Sequence, residues 1–175
     1  MDRSSFFHEA INKGCVGLEI GPLHSLICSK RNGWNVLTLD ICDSDLLKEK
    51  YKNDAAVDCS KIEEVDVIYK ESLFNSVQGY SEQDVALISN PNSSLQYIIS
   101  SHNFEHQPNP LGFLRDSEAL LQEGGYLIMA IPVASRCFGC FLPLKRLDRL
   151  LIASSVVATS LALAQYLISV HITQL

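Results

Sequence analysis

What most constrains this chain is an alternation: short apolar runs recur along it, and stretches of helical composition lie between them. The runs are Cys15 to Ile20 (CVGLEI), Trp34 to Asp40 (WNVLTLD), Val65 to Tyr69 (VDVIY), Leu95 to Ser101 (LQYIISS) and Tyr126 to Pro132 (YLIMAIP). Their length and their apolar, often β-branched composition read as strands. A helical stretch closed by Asn32-Gly33 separates the first two, and Ser44 to Asp54, capped at Asp43 or Ser44, separates the second from the third. Pro110 to Glu123 forms another helix, with Leu111, Leu114, Leu120 and Leu121 inward and Gly124-Gly125 as its stop. Arg3 to Lys13 precedes them all as a short amphipathic helix, placing Phe6, Phe7, Ala10 and Ile11 on one face after Ser4 and Ser5. Between Glu71 and Ser94 the pattern is weak: SEQDVALI is a helix candidate and SNPNSS a loop. Strands that alternate with helices pair in parallel, since each right-handed crossover needs a long connection. The expected fold is therefore α/β, a Rossmann-like doubly wound sheet with helices on both faces.

Such a sheet binds its ligand beyond the carboxyl ends of the strands, near the point where strand order reverses. Glu19 and Gly21 end the first strand, and Asp40 ends the second, nineteen residues after Gly21. One carboxylate at Asp40 is placed to hold the two neighbouring hydroxyls of a ribose; the competing role is a cap for the next helix. Gly21 lets a ligand approach the backbone where a side chain would block it. A dinucleotide would need a glycine-rich turn for its pyrophosphate, but after Gly21 the chain continues Pro22, Leu23, His24 and Ser25. A nucleoside without phosphates fits better, and an NAD-linked or nucleotide-sugar enzyme is disfavoured.

Charge and cysteines narrow the setting. A net charge of -6 argues against a nucleic-acid surface as the main partner, because phosphate binding depends on clustered Lys and Arg. Cys15, Cys28, Cys42, Cys59, Cys137 and Cys140 lie mostly within apolar segments, and MDRSSFFHEA lacks the apolar core of a signal peptide. A reducing, cytoplasmic location is expected. Cys137 and Cys140 form a CxxC without a second ligand pair at zinc spacing, so no metal is expected there.

LEIGPLHSLI, the Asp40 that ends the second strand, and YIISSHNFEHQPNPLGFLRDSEALLQEGGYLIMAIP together resemble class I S-adenosylmethionine-dependent methyltransferases. The similarity is closest to a bacterial-type subgroup whose first motif reads E-I-G-P and whose fourth strand runs into H-x-x-E-H. It covers roughly Cys15 to Pro132, about two thirds of the chain. The resemblance implies a sheet of order 3-2-1-4-5, the methionine part of the cofactor over Glu19 to Pro22, and the ribose on Asp40. Ser101 and His102, where the fourth strand ends, join Glu19, Gly21, Pro22 and Asp40 as candidate cofactor-binding residues. In the family an acidic or polar residue after the third strand approaches the adenine; no position here matches clearly, and Glu71 is named only as a candidate. The family usually begins its fourth strand with Asp, where this chain has Gln96.

Methyl transfer needs an aligned nucleophile and a base for its proton. His106 is the candidate base; the competing role for Glu105-His106 is to orient the loop and close the cofactor pocket. His102, Glu105 and His106 as a metal set are disfavoured, because Asn109-Pro110 soon interrupts any helix that would bring the two imidazoles together. The function expected is methyl transfer to a small-molecule acceptor, with a lean toward a glycan precursor; the alternative is a non-catalytic binding or scaffold protein that retains the fold.

The resemblance fades near Phe141, so the chain divides into an S-adenosylmethionine-binding, methyltransferase-like domain (1–143) and a divergent apolar tail (144–175), with strands six and seven missing or replaced. Leu150 to Val170 is twenty-one residues without a charge. It reads as a substitute element covering the edge of the fifth strand, as an aberrant end, or as a membrane anchor, whose length it satisfies. Lys145, Arg146 and Arg149 fit an anchor's flank, while Ser154, Ser155, Thr159, Ser160, Gln165 and Ser169 count against one.

Overall fold

The computed structural model describes residues 3–78 and 95–131 and the backbone of 169–171. In chain order these hold α1 (Arg3–Ala10), β1 (Gly17–Ile20), β2 (Val36–Asp40), α2 (Ser44–Tyr51), β3 (Val67–Ile68), α3 (Leu73–Gln78), β4 (Leu95–Ser101), α4 (Pro110–Leu120), β5 (Leu121–Ala130) and β6 (Ser169–His171). The sheet is parallel throughout and ordered β3-β2-β1-β4-β5-β6, which contains the expected 3-2-1-4-5. The order reverses between β1 and β4, so their carboxyl ends frame the crevice.

Strand periodicity sorts the core onto two faces. Leu18, Leu37, Leu39, Ile98, Leu127 and Met129 turn to one side, where Leu73 and Val77 of α3 and Phe113 and Leu120 of α4 cover them. Val36, Tyr97, Ile99, Ile128 and Ala130 turn to the other and meet Phe7 and Ile11 at the N-terminus, together with Ile27, Cys28 and Trp34. Gly17 and Glu19 share that second face by alternation.

The first crossover departs from expectation. Residues 21–33 form turns and one 3-10 turn, Lys30–Asn32, closed by Gly33 at φ 80°, rather than an α-helix. Two buried carboxylates take the amide donors that a helix would have used. Glu19 accepts from Ile27 N at 2.8 Å and Cys28 N at 2.9 Å, and Glu63 accepts from Lys30 N at 2.8 Å and from the Ser29 hydroxyl. Leu23, at φ 47°, also breaks a right-handed helix at its start.

The junction of α4 and β5 is the second departure. The helix was expected to run to Glu123 and stop at Gly124-Gly125, but it ends at Leu120, and Leu121 already pairs with Leu95. From there a two-residue step on β4 (Leu95 to Tyr97) matches a five-residue step on β5 (Leu121 to Tyr126), and Gly124 sits in that bulge at φ 77°. The paired glycines thus serve a strand irregularity instead of a helix cap. On α4 the buried face is Phe113, Ser117 and Leu120, with Leu111 and Leu114 half-buried.

Elsewhere the ends shift modestly. Asp43 caps α2 through Leu46 N at 2.8 Å, and α3 was not foreseen. Gln96, where the family usually has Asp, accepts from Val16 N at 2.8 Å and so fastens the start of β1 to β4. Beyond β5, Ser169–His171 pairs in parallel with Ile128 to Ala130, so part of the apolar tail lies as a strand on that edge. Most of Leu150 to Val170, the CxxC, SEQDVALI and SNPNSS lie outside the described residues. No helix among the described residues is long and apolar enough to cross a membrane.

Candidate functional site

Two clefts meet at the carboxyl ends of β1 and β2, sharing Ile20 and Gly21. The first, about 170 Å³, is walled by Leu39, Ile41, Tyr69, Leu73 and Phe113, with Asp40, Asn103 and Gln107 as its polar groups. The second, about 190 Å³, is lined by Glu19, Pro22, Leu23, His24, Ser25, Ser101 and His102. Gly21 forms the ridge between them. Its φ of 62° is a glycine conformation, its N–H donates to Leu39 O at 2.8 Å, and a Cβ there would come within 3.2 Å of Asn103 Nδ2.

Asp40 is half-buried at the first cleft. Burial raises its pKa above the usual carboxylate value, against hydrogen bonds from the Ile41 and Leu23 amides and the charge of Lys50. A carboxylate with apolar walls beside it suits a polar, hydroxyl-bearing ring joined to a flat apolar one. Glu71 is exposed and lines an adjoining hollow of about 150 Å³ with Ser72 and Asp116, beyond Asp40.

The second cleft has a different chemistry. Glu19 is 2 % exposed and engages both carboxylate oxygens with its own loop. Sequence reasoning offered it as a ligand contact; the structure shows it first as the anchor of the loop that forms the cleft. Buried polar atoms without a partner among the described residues gather around this end of the sheet: His24 Nδ1, Ser100 Oγ, Ser101 Oγ and Glu105 Oε2. Of these residues His24 and Ser101 line the cleft; native interiors leave few such groups, and a cleft lined by them is fitted for a polar ligand. His102 turns the chain out of β4 at φ 53°, and its amide donates to Ala130 O at 2.9 Å.

The loop after β4 divides its residues between inside and outside. Gln107 Nε2 donates to Asn103 Oδ1 at 2.6 Å, and Phe104 packs edge-on against Phe113 at 5.7 Å. The side chain of Glu105 is 15 % exposed and that of His106 is 69 % exposed, their nearest approach being 3.8 Å. His106 lines neither cleft. Burial pushes the Cys28 thiol up to about 12, with the Glu19 charge adding to it, so that thiol is unreactive.

Sequence reasoning missed His24, Asn103, Gln107, Tyr69 and Phe113 as lining residues. Asn103 and Gln107 stand in SHNFEHQ immediately past a strand end, where the strand-end rule alone would have nominated them. His24 gave no such signal.

No curated protein matches the chain. The family model described as a methyltransferase domain matches residues 4–167, from α1 through the sheet into the apolar tail. With that match covering most of its length, and with a reversed-order parallel sheet opening onto a paired cleft at Gly21, the chain belongs to the methyltransferase-domain family.

Proposed function

We propose that the protein is an S-adenosylmethionine-dependent methyltransferase acting on a small-molecule acceptor in the cytoplasm. The observation that carries this reading is the pairing of an apolar cleft bearing Asp40 with a polar cleft where, among the described residues, the Ser101 hydroxyl and His24 Nδ1 have no partner, the two joined across Gly21. Asp40 accepts from the ribose hydroxyls, while Ile41, Tyr69, Leu73 and Phe113 cover the base. Glu19, Gly21, Pro22, Ser101 and His102 surround the amino-acid end. When bound, the cofactor supplies an electrophilic methyl group; the chain's own residues orient it and keep water from it. His106, exposed on the rim rather than within either cleft, accepts the acceptor's proton.

Calorimetric titration with S-adenosylhomocysteine tests the cofactor assignment. Asp40→Ala removes charge-assisted hydrogen bonds worth about 1.5–3 kcal/mol each and should weaken binding at least tenfold with unchanged thermal unfolding. Because the raised pKa of Asp40 favours its neutral form, the wild-type affinity should fall as pH drops through that value, and Asp40→Asn should flatten the profile. Equal affinity in Asp40→Ala would remove the ribose contact.

A second measurement concerns turnover, followed as S-adenosylhomocysteine formed across a panel of small hydroxylated acceptors. His106→Ala should keep cofactor affinity and lower turnover about 10²-fold. A parallel loss of affinity would assign His106 to loop closure. Tight cofactor binding with no turnover on any acceptor would favour a non-catalytic binding protein with this fold.

A further inference from the structure

The polar cleft poses a question that ribose binding leaves open: which of its groups reads the far end of the ligand. Among the described residues no Lys or Arg lines it, and the one acidic group that does, Glu19, is engaged by Ile27 N and Cys28 N. Among its side chains, His24 and Ser101 present buried atoms, Nδ1 and Oγ, that have no partner among the described residues. Both can donate a hydrogen bond. His24 is placed there by an unusual backbone: Leu23, just before it, holds φ 47°, while the Leu23 amide hydrogen-bonds the Asp40 carboxylate of the other cleft. Strain of this kind persists where the surroundings over-determine it, and such residues cluster at ligand clamps.

We propose that His24 Nδ1–H and the Ser101 hydroxyl together bind the α-carboxylate of the cofactor's amino-acid end, which makes His24 the residue that selects a carboxylate-bearing ligand. The assignment rests on the cofactor reading above. The donor set favours it: with both Glu19 oxygens taken by Ile27 N and Cys28 N, the groups left to meet a ligand are the neutral donors, which suit a carboxylate. Its two donors would gain in the bound state the partners they lack in the free protein.

The experiment compares two nucleosides that differ in that one group, S-adenosylhomocysteine and its decarboxylated analogue S-adenosyl-3-thiopropylamine, by calorimetry on the full chain. Wild type should prefer the former at least tenfold. His24→Ala should lose about tenfold in affinity for S-adenosylhomocysteine, leave the analogue unaffected, and so abolish the preference. Two further substitutions keep the test decisive if His24→Ala folds poorly. His24→Asn sets a donor close to the position of Nδ1 and should retain the preference within about threefold, whereas His24→Gln carries its amide farther out and should not. If all three variants discriminate as wild type does, the His24 assignment is overturned while the cofactor reading stands. If wild type binds neither nucleoside, both fall together.

Discussion

Glu19→Ala should destabilise the protein by about 3–5 kcal/mol, because it removes the shared acceptor of two buried amides, and bonds to charged groups contribute about 1.5–3 kcal/mol each. Ile27 N and Cys28 N lie at 2.8 and 2.9 Å from its two oxygens, and both residues are buried, so water cannot replace the carboxylate without opening the loop. The consequence spreads from there. Ile27 O accepts from His8 Nε2 at 2.8 Å, and that ring stacks on Trp34 at 4.5 Å, which ties α1 to the same loop. Trp34 is the only tryptophan, so its emission reports the loop directly. Urea unfolding of Glu19→Ala should show a lowered midpoint, and the fluorescence of its native state should shift to the red as Trp34 becomes wetter. Glu19→Gln, which keeps one acceptor oxygen, should lose roughly half as much. A loss below about 1 kcal/mol in Glu19→Ala would mean that the loop is held by other contacts.

That loop also shows where sequence reasoning stopped. The strands were legible because period and burial coincide: Leu18, Leu37, Leu39 and Ile98 occupy one face in register, and a one-residue slip of any strand would turn its apolar set away from that face. The positions of Gly21 and Asp40 at the strand ends, where they line the clefts, were legible for the same reason, since each stands where an apolar run ends. The helix expected between β1 and β2 failed because the deciding partners are remote. Glu63 reaches Lys30 N across thirty-three residues, and nothing near Lys30 in sequence announces a carboxylate that will compete for its amide. Gly124-Gly125 misled in a related way, because a glycine pair after a leucine-rich helix reads as a stop unless the pairing of Leu121 with Leu95 is known. His24 was invisible as a cleft-lining residue because its place depends on the conformation of Leu23, which a leucine seldom adopts. For Glu105-His106 the sequence offered a base or a loop-orienting pair, but which of the two turns inward depends on the 3-10 turn Phe104–His106.

Gly17→Val tests the packing beneath the site and should cost about 3 kcal/mol, at the upper end of what overpacking does. Gly17 pairs with Tyr97 across the β1–β4 register, and both lie on the face that α1 covers. A Cβ built on Gly17 would fall 2.1 Å from Cε2 and Cζ of the Tyr97 ring, well inside any real contact. The ring cannot swing clear, because Tyr97 is 0 % exposed and packs in one cluster with Phe7, Cys28 and Ile99. Relief must therefore come from separating β1 from β4, and that movement would carry Glu19 and Gly21 with it. The chemical test is a double-mutant cycle measured by urea unfolding. Tyr97→Leu removes the obstructing ring and is itself destabilising, since it leaves a cavity, but Gly17→Val should then cost little more in its background. A coupling of at least ~1 kcal/mol is expected, as for other side chains in direct contact. Additive losses would show that the glycine is required for its backbone and not for the space it leaves to the ring. Because the strain would be released through the strand that carries Gly21, Gly17→Val should also weaken S-adenosylhomocysteine binding, although Gly17 lines neither cleft.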